Sequence, residues 1–365
     1  MAFESGSLAF RAFYMGQSLP DDHIDRFARD ALPPLDTVGR EAALGWVTGR
    51  HLLDRAIRDE TAYFGAYLRL ALVRAERRIP TALLRAECKM EELALLEAAG
   101  GEYVKREERT RIRKEVEERL QPQMPPQLTA IPFVCGREGD RLFASAMSDK
   151  QLEVFLYHFE ASTGVSLTPV TPESAALKRK QFAVHQLGPC SLSPECNDEM
   201  VAVSPGLDFL TWLWFFSEER GGVISTQGGE FAVALEGPLT FIKEGQGAHE
   251  ARLRKGDPLG SMEAKTALLS GKKLSKARVT VARDHEQWSA EIDAETFGFR
   301  GVKLPKGEML DPVSRFQDRL LSLQTFLSAW LSFYDRFIDE RRDGAEWNRT
   351  RDAIHAWVRA RSAAG

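Results

Sequence analysis

The sequence is poor in cysteine, histidine and long apolar runs, and each shortage removes a class of function. Four cysteines (Cys88, Cys135, Cys190, Cys196) are scattered over 365 residues. Only Cys190 and Cys196 lie near one another. Their spacing matches no common zinc pattern and no histidine pair accompanies them, so no metal is expected. Free thiols in a reducing compartment are the plain reading. The seven histidines occur singly, and neither a Ser-His-Asp nor a G-x-S-x-G pattern is present. No catalytic residue and no cofactor is therefore expected, and the chain reads as non-enzymatic. No apolar run approaches the roughly 20 residues a membrane span needs. The N-terminus lacks a basic-then-apolar leader. Together these suggest a cytoplasmic protein without a membrane partner. A strong charge of one sign is missing too: the net charge is −4. For the chain as a whole this argues against a polyanionic partner, so the distribution of charge has to decide.

What is present is enough apolar sequence for a sizeable core. Hydrophobic residues make up 43% and charged residues 28%, ordinary values for a folded protein. The composition and patterning predict an α+β fold: antiparallel sheets with packed helices and a projecting helical hairpin. Residues 1–171 read as a first unit. Strands are expected at 7–14, 45–48, 63–73, 128–134 and 141–146. A short helix should run from Pro20-Asp21 to about Ala31. Ser148–Ser162 is amphipathic, with Leu152, Phe155, Leu156 and Phe159 on one face and Ser148 as N-cap. Two charged helices, Thr81–Ala98 and Tyr103–Leu120, interrupt the strands and form an arm over 80–122. Leu83, Ala86, Met90 and Leu93 make one stripe; Ile112, Val116 and Leu120 make the other. One narrow stripe per helix pairs the two and leaves little for a sheet, so the arm is expected to be solvated. Gly100-Gly101 supplies its turn, and Pro122, Pro125 and Pro126 stop the second helix.

Residues 172–204 read as a connector, with a small basic cluster at Lys178, Arg179 and Lys180. A second unit follows over 205–310. Leu207–Phe216 is apolar nearly all round and stops at Gly221-Gly222, a buried helix; Trp212 and Trp214 lie on different sides of it, which favours core packing over base stacking. Strands are expected at 223–226, 230–235, 239–243 and 250–253. Gly228-Gly229 and Gly245-Gln246-Gly247 lack the phosphate-loop spacing and read as hairpin turns.

The stretch 252–283 is the most informative for function. It holds nine basic residues against two acidic ones, an excess of seven in a chain of net −4. Near its end Lys276, Arg278 and Thr280 share one strand face, and Ala277, Val279 and Val281 share the other. Gln287–Ile292 and Phe297–Leu304 extend the meander, with Arg300 outside the apolar phase. A basic sheet face bearing Arg252, Arg254, Lys255, Lys272, Lys273, Lys276 and Arg278 suits phosphates, because Lys and Arg release condensed counterions on contact. A merely solvated charged strand remains the other reading. Asp311-Pro312 opens a long helix within 311–365. Val313, Phe316, Leu320, Leu323, Leu327, Trp330, Tyr334 and Phe337 follow a heptad seam. Leu320, Leu323, Leu327 and Trp330 could seal a dimer or pack on the chain's own sheet. A further helix, Ala345–Arg361, carries Trp347, Ile354 and Trp357.

The order and spacing of several pieces resemble the RdgC family, recombination-associated DNA-binding proteins of bacteria. These pieces are Leu72–Pro80, the arm, Leu120-Gln121-Pro122, the strand pair after it, Met147–Lys150, Thr163-Gly164 and Leu167–Thr171. Gly45-Trp46-Val47 upstream and Gly271-Lys272 with Lys276–Arg278 downstream extend the likeness over most of 5–338. The resemblance implies an RdgC-like fold and a ring-shaped homodimer that encircles DNA. It implies binding of duplex and single strands with little sequence preference, limited access of the RecA recombinase through competition for DNA, and association with the nucleoid. It places Arg254 and Lys255 where that family has a basic pair, with Lys272, Lys276 and Arg278 as further contacts. Two other readings stand beside it. One is a protein-interaction module that uses the arm and the heptad helix. The other is a metal-dependent nuclease using Asp284, Glu286, Glu291 and Asp293.

Overall fold

A computed structural model describes the chain except residues 1–2, 102, 138, 198–202, 244–249, 308–310 and 364–365, and except the side chains of 361–363. The Gly245-Gln246-Gly247 turn lies outside the described residues. The strands are β1 (Leu8–Met15), β2 (Ala43–Thr48), β3 (Tyr63–Phe64), β4 (Tyr67–Arg77), β5 (Pro126–Gly136), β6 (Arg141–Ala144), β7 (Leu167–Pro169), β8 (Val223–Thr226), β9 (Gly229–Ile242), β10 (Ala251–Leu253), β11 (Lys273–Arg283), β12 (Glu286–Asp293) and β13 (Gly298–Lys303). The helices are α1 (His23–Arg29), α2 (Asp59–Ala62), α3 (Thr81–Ala99), α4 (Arg106–Leu120), α5 (Asp149–Thr163), α6 (Pro172–Lys180), α7 (Pro205–Glu219), α8 (Met262–Leu269), α9 (Pro312–Arg342) and α10 (Gly344–Ala363). The chain is mixed α+β with antiparallel sheet pairing. Two units are distinguished, and they are not the sequential blocks expected. The first comprises 1–19, 63–68 and 133–365; the second comprises 20–62 and 69–132.

In the first unit the strands run in the order β10-β9-β11-β12-β13-β1-β6. Alternation in β11 puts Ala277, Val279 and Val281 into the core, beside Ile292, Ala290 and Trp288 of β12. Helices α7 and α9 pack on this inner face, and α10 packs against α7, α8 and α9. Every residue of α7 from Pro205 to Phe216 is buried, so Trp212 and Trp214 are both core side chains. Helix α9 starts at Asp311, whose Oδ1 accepts from Val313 and Ser314 N–H at 3.1 and 3.0 Å, an N-cap of the usual kind. The Trp288 indole donates to Ser322 Oγ at 2.8 Å and fastens β12 to α9. The terminal helix α10 sinks Trp347, Ile354, Trp357 and Val358 into the same core. On the outer face α5 covers β1 and the end of β5: Phe155 packs 5.8 Å from Phe13 and 5.7 Å from Phe133. The expected Ser148 cap is present, accepting from Gln151 N–H at 3.3 Å. Farther along, the outward residues Ala232, Ala234, Glu236 and Gln287 are exposed, so that face is open over β9, β11 and β12.

Three expectations need correction here. The start of the proposed connector is helix α6, capped by Thr171, whose Oγ1 accepts from Ser174 N–H at 3.3 Å. Its basic cluster is docked: Arg179 Nε donates to both oxygens of Asp335 at 3.0 Å, and Lys180 pairs with Asp339 at 2.6 Å. Strand β9 runs unbroken from Gly229 to Ile242 where two strands were expected. The heptad seam of α9 is no free surface: Leu320, Leu323, Leu327 and Trp330 are all 0–1% exposed within this chain's own core. The β-sheet absorbs the apolar stripe that a second copy would have needed.

In the second unit β2 pairs with the part of β4 from Leu70 to Ala75. Leu32, Val38, Val47, Ala71, Val73 and Ala75 form its core. The arm, α3 and α4, has its own small core. Val104, Ile112, Val116 and Leu120 pack against Leu83, Leu84, Cys88, Leu95 and Leu96. Gly100 closes α3 at φ 62°, the left-handed conformation. The stripe on α3 is rotated from the expected one: Met90 and Leu93 are 61% and 48% exposed. Leu84, Cys88 and Leu95, spaced 4 and 7, face α4 instead.

Candidate nucleic-acid interface

Three of the expected cations form one cluster. Strand β10 is a short edge strand, with Ala251, Arg252 and Leu253 opposite Phe241, Thr240 and Leu239 of β9. Its polar positions therefore point away from the core. The chain then turns through Lys255 and Gly256, at φ 72° and 68°. Pro258 folds back onto β9, where Gly237 is bare; a Cβ there would lie 2.5 Å from the proline Cγ. Asp257 Oδ1 accepts from Gly260 N–H at 3.2 Å and holds the turn. The result is a groove of about 630 Å³ lined by Arg252, Arg254, Lys255, Glu236, Gly237 and Pro238, with Asp257 and Leu259 at its side. Arg252, Arg254 and Lys255 are exposed. Among the described residues none of the three is within ion-pair distance of a carboxylate.

The remaining expected contacts fall in different surroundings. Lys272 is half-buried at the start of β11 and has no described ion pair. Lys273 has to be withdrawn from the surface: it is 5% exposed and its ammonium pairs with Asp208, itself 1% exposed, under α7. Lys273 lies in the same phase of β11 as Ser275, Ala277, Val279 and Val281, so the alternation that exposes Lys276 and Arg278 carries Lys273 to the inner face. Lys276 and Arg278 do point outwards, as the alternation required, but into a chequerboard. Lys276 pairs with Asp293 at 2.9 Å. Arg278 lies opposite Glu291 on one side and Glu236 on the other. Glu291 lies in turn opposite Arg300, whose guanidinium donates to Met147 C=O at 3.2 Å. One row across the sheet thus reads Glu236, Arg278, Glu291, Arg300, alternating in sign. At such separations each cation's field is largely cancelled by its neighbours. A continuous cationic lane across the sheet is therefore not formed; the local excess of positive charge among the described residues sits at the β10 edge, where three cations share a groove with Glu236 and Asp257.

This cancellation could have been counted from the sequence. Asp284-His285 is a two-residue hairpin turn, with Asp284 at φ 51°, a conformation such turns favour. Counting outwards equally from it, Arg283 meets Glu286, Arg278 meets Glu291 and Lys276 meets Asp293. The same pairing accounts for the carboxylates considered for a nuclease. Glu286 is held by Arg283. Asp293 holds Lys276 and also accepts from Glu295 N–H at 3.2 Å. Among the described residues no group of three or more His, Cys, Asp or Glu side chains could hold a metal ion. Nor is any described helix long and apolar enough to cross a membrane. Burial pushes the Cys190 thiol up to about 11 and the Cys135 thiol up to about 12, so neither forms a thiolate nucleophile near neutral pH.

No family model matches the chain. No curated protein matches it either.

Proposed function

We propose that this protein is a non-enzymatic, sequence-independent DNA-binding protein of the RdgC type. The observation that carries the reading is the cluster Arg252, Arg254 and Lys255. Three exposed cations without described carboxylate partners line one side of a groove at a sheet edge. Such a cluster recognises phosphates, and phosphate contacts carry no sequence information. Arg254 and Lys255 are also the pair that the family resemblance singles out. The strand–arm–strand order supports the same reading: β4, the α3–α4 hairpin and β5 follow one another as they do in that family. The protein binds duplex and single strands, acts as a homodimer, and restricts RecA by occupying DNA in the nucleoid.

The dimer contact proposed here is the arm, not α9. Met90 and Leu93 on α3 and Tyr103 at the arm's tip are 61%, 48% and 74% exposed. Apolar side chains of that size, grouped on a helical hairpin, suit a contact with a second copy. The same observation favours a second reading, in which the arm serves a different protein and DNA binding is absent. Fluorescence anisotropy with labelled duplex and single-stranded DNA separates the two. Changing Arg252, Arg254 and Lys255 together to Glu should lower affinity at least a hundredfold for any sequence. Changing Lys276 and Arg278 to Glu should cost less than tenfold, because both already stand among carboxylates. An edge variant that binds like the parent would refute this site.

A further inference from the structure

The outer face of the sheet in the first unit carries an ordered charge pattern that the cluster at β10 does not explain. Lys276 and Arg278 point outwards from β11, and Asp293 and Glu291 lie opposite them on β12. On this face one strand is cationic and its neighbour anionic. The strands beyond continue the order: Glu236 of β9 lies opposite Arg278, and Arg300 of β13 lies opposite Glu291. The row Glu236, Arg278, Glu291, Arg300 therefore changes sign when it is reversed about the line between β11 and β12. The neighbouring pair Lys276 and Asp293 changes sign about the same line. Glu236 and Arg300 are exposed, and Arg278 and Glu291 are half-buried. Ala232 and Ala234 of β9 are exposed and Ala282 and Ser289 are half-buried; side chains this small keep the face low beside its charges.

We propose that this face docks on the same face of a second copy, about a twofold axis that runs along the line between β11 and β12. In a twofold contact the same patch meets itself, so it must oppose its own charges. Rotation about this axis sets Arg278 of one copy over Glu291 of the other, Glu236 over Arg300 and Lys276 over Asp293, each pair formed twice. Two strands of equal sign would have brought like charges together. The pairs within one chain do not preclude this: an ammonium has three donors, a guanidinium five, and a carboxylate accepts on both oxygens. DNA is the wrong occupant, because carboxylates make up half of the row. An unrelated protein would need the same order of signs in reverse, which a second copy carries by symmetry. Four strands about 4.8 Å apart, each with four outward positions about 6.8 Å apart, cover roughly 500 Å² in each copy. About 1,000 Å² in all is the low end for a specific interface. The dimer is therefore weak, reversible and held by charge, so salt dissolves it. It uses neither the arm nor the β10 edge, and its fate does not depend on DNA binding.

The test is analytical ultracentrifugation of the full-length chain carrying Met90→Glu, Leu93→Glu and Tyr103→Glu, so that an arm contact cannot supply the dimer. At about 100 µM chain and about 50 mM salt it should sediment as a dimer. Raising the salt to about 500 mM shortens the Debye length to about 4 Å and should raise the dissociation constant at least tenfold. Adding Lys276→Glu with Arg278→Glu should leave a monomer, and so should adding Glu236→Lys with Glu291→Lys instead. Mixed one to one, these two variants should form a dimer, because each carries the charge that the other lacks. Thermal melting reports whether each variant is folded. The salt series leaves the face unchanged, so it decides even where a reversal prevents folding. A monomer at low salt would overturn the proposal, and so would a dimer indifferent to salt. Folded reversal variants that dimerise alone, or that fail to associate when mixed, would overturn it as well.

Discussion

At the residue scale, two lysines three positions apart have opposite fates. Lys273 is buried against Asp208, whereas Lys276 is half exposed and pairs with Asp293 at the surface. A buried charge that loses its whole partner costs about 3–5 kcal/mol; here Arg341, 3.8 Å from Asp208, offsets part of that. Lys273→Ala should therefore lower stability by more than about 1 kcal/mol in urea denaturation, whereas Lys276→Ala should change it by less than about 1 kcal/mol. Equal effects would mean that Lys273 is not inside. The buried thiols make a second claim. Cys190 and Cys135 hold their protons more tightly folded than unfolded, since burial raises them from 9.0 to about 11 and about 12. The stability this gives is fully present below pH 9 and is lost as pH climbs through 11. The melting temperature should fall between pH 9 and 11.5, and Cys190→Ala should fall less steeply than the parent. Identical slopes would show that the thiol does not contribute.

At the element scale, what the sequence disclosed depended on how local the cause is. Alternation in β11, the caps of α5 and α9 and the all-round apolarity of α7 were legible because neighbours a few residues away decide them. The α9 seam was legible as a stripe, with Leu320, Leu323, Leu327 and Trp330 in phase, but not as to what it faces. A sheet and a second helix bury the same residues in the same way. The rotation of α3 escaped for a related reason: Ala86, Met90 and Leu93 make as good a stripe as Leu84, Cys88 and Leu95, and only the placement of α4 decides between them. Helix α10 had no role that the sequence alone could assign. In the structure Trp357 Nε1 donates to Glu218 at 3.0 Å, Thr350 Oγ1 to Glu340 at 3.1 Å, and the Arg341 guanidinium stacks 4.5 Å from the Trp347 ring. Its four large buried side chains are each worth about 1.5–3 kcal/mol, together comparable to a domain's entire stability. A chain ending at Arg342 should therefore fail to give a cooperative thermal transition at 37 °C and above. A truncated chain with the parent's melting temperature would make α10 an ornament.

At the scale of the whole molecule, an acidic chain grips a polyanion only if it keeps some of its cations apart from its carboxylates. Most are not kept apart: those on the sheet face alternate with Glu236, Glu291 and Asp293. The edge after β10 is where separation is greatest: Arg252, Arg254 and Lys255 make no ion pair among the described residues, although Glu236 and Asp257 line the same groove. The excess of seven could be counted in the sequence, and so could the pairing across the β11–β12 hairpin; the places of Glu236 and Arg300 could not, because the β9 and β13 pairings carry register shifts. The most direct measurement is the dependence of DNA affinity on salt, for the parent and for the Arg252, Arg254 and Lys255 to Glu variant. Each phosphate contact contributes about −0.9 to the slope of log K against log salt on duplex DNA. The account predicts that the parent's slope is steeper than the variant's by about three for each chain bound. Equal slopes, or a parent whose affinity ignores salt, would contradict it.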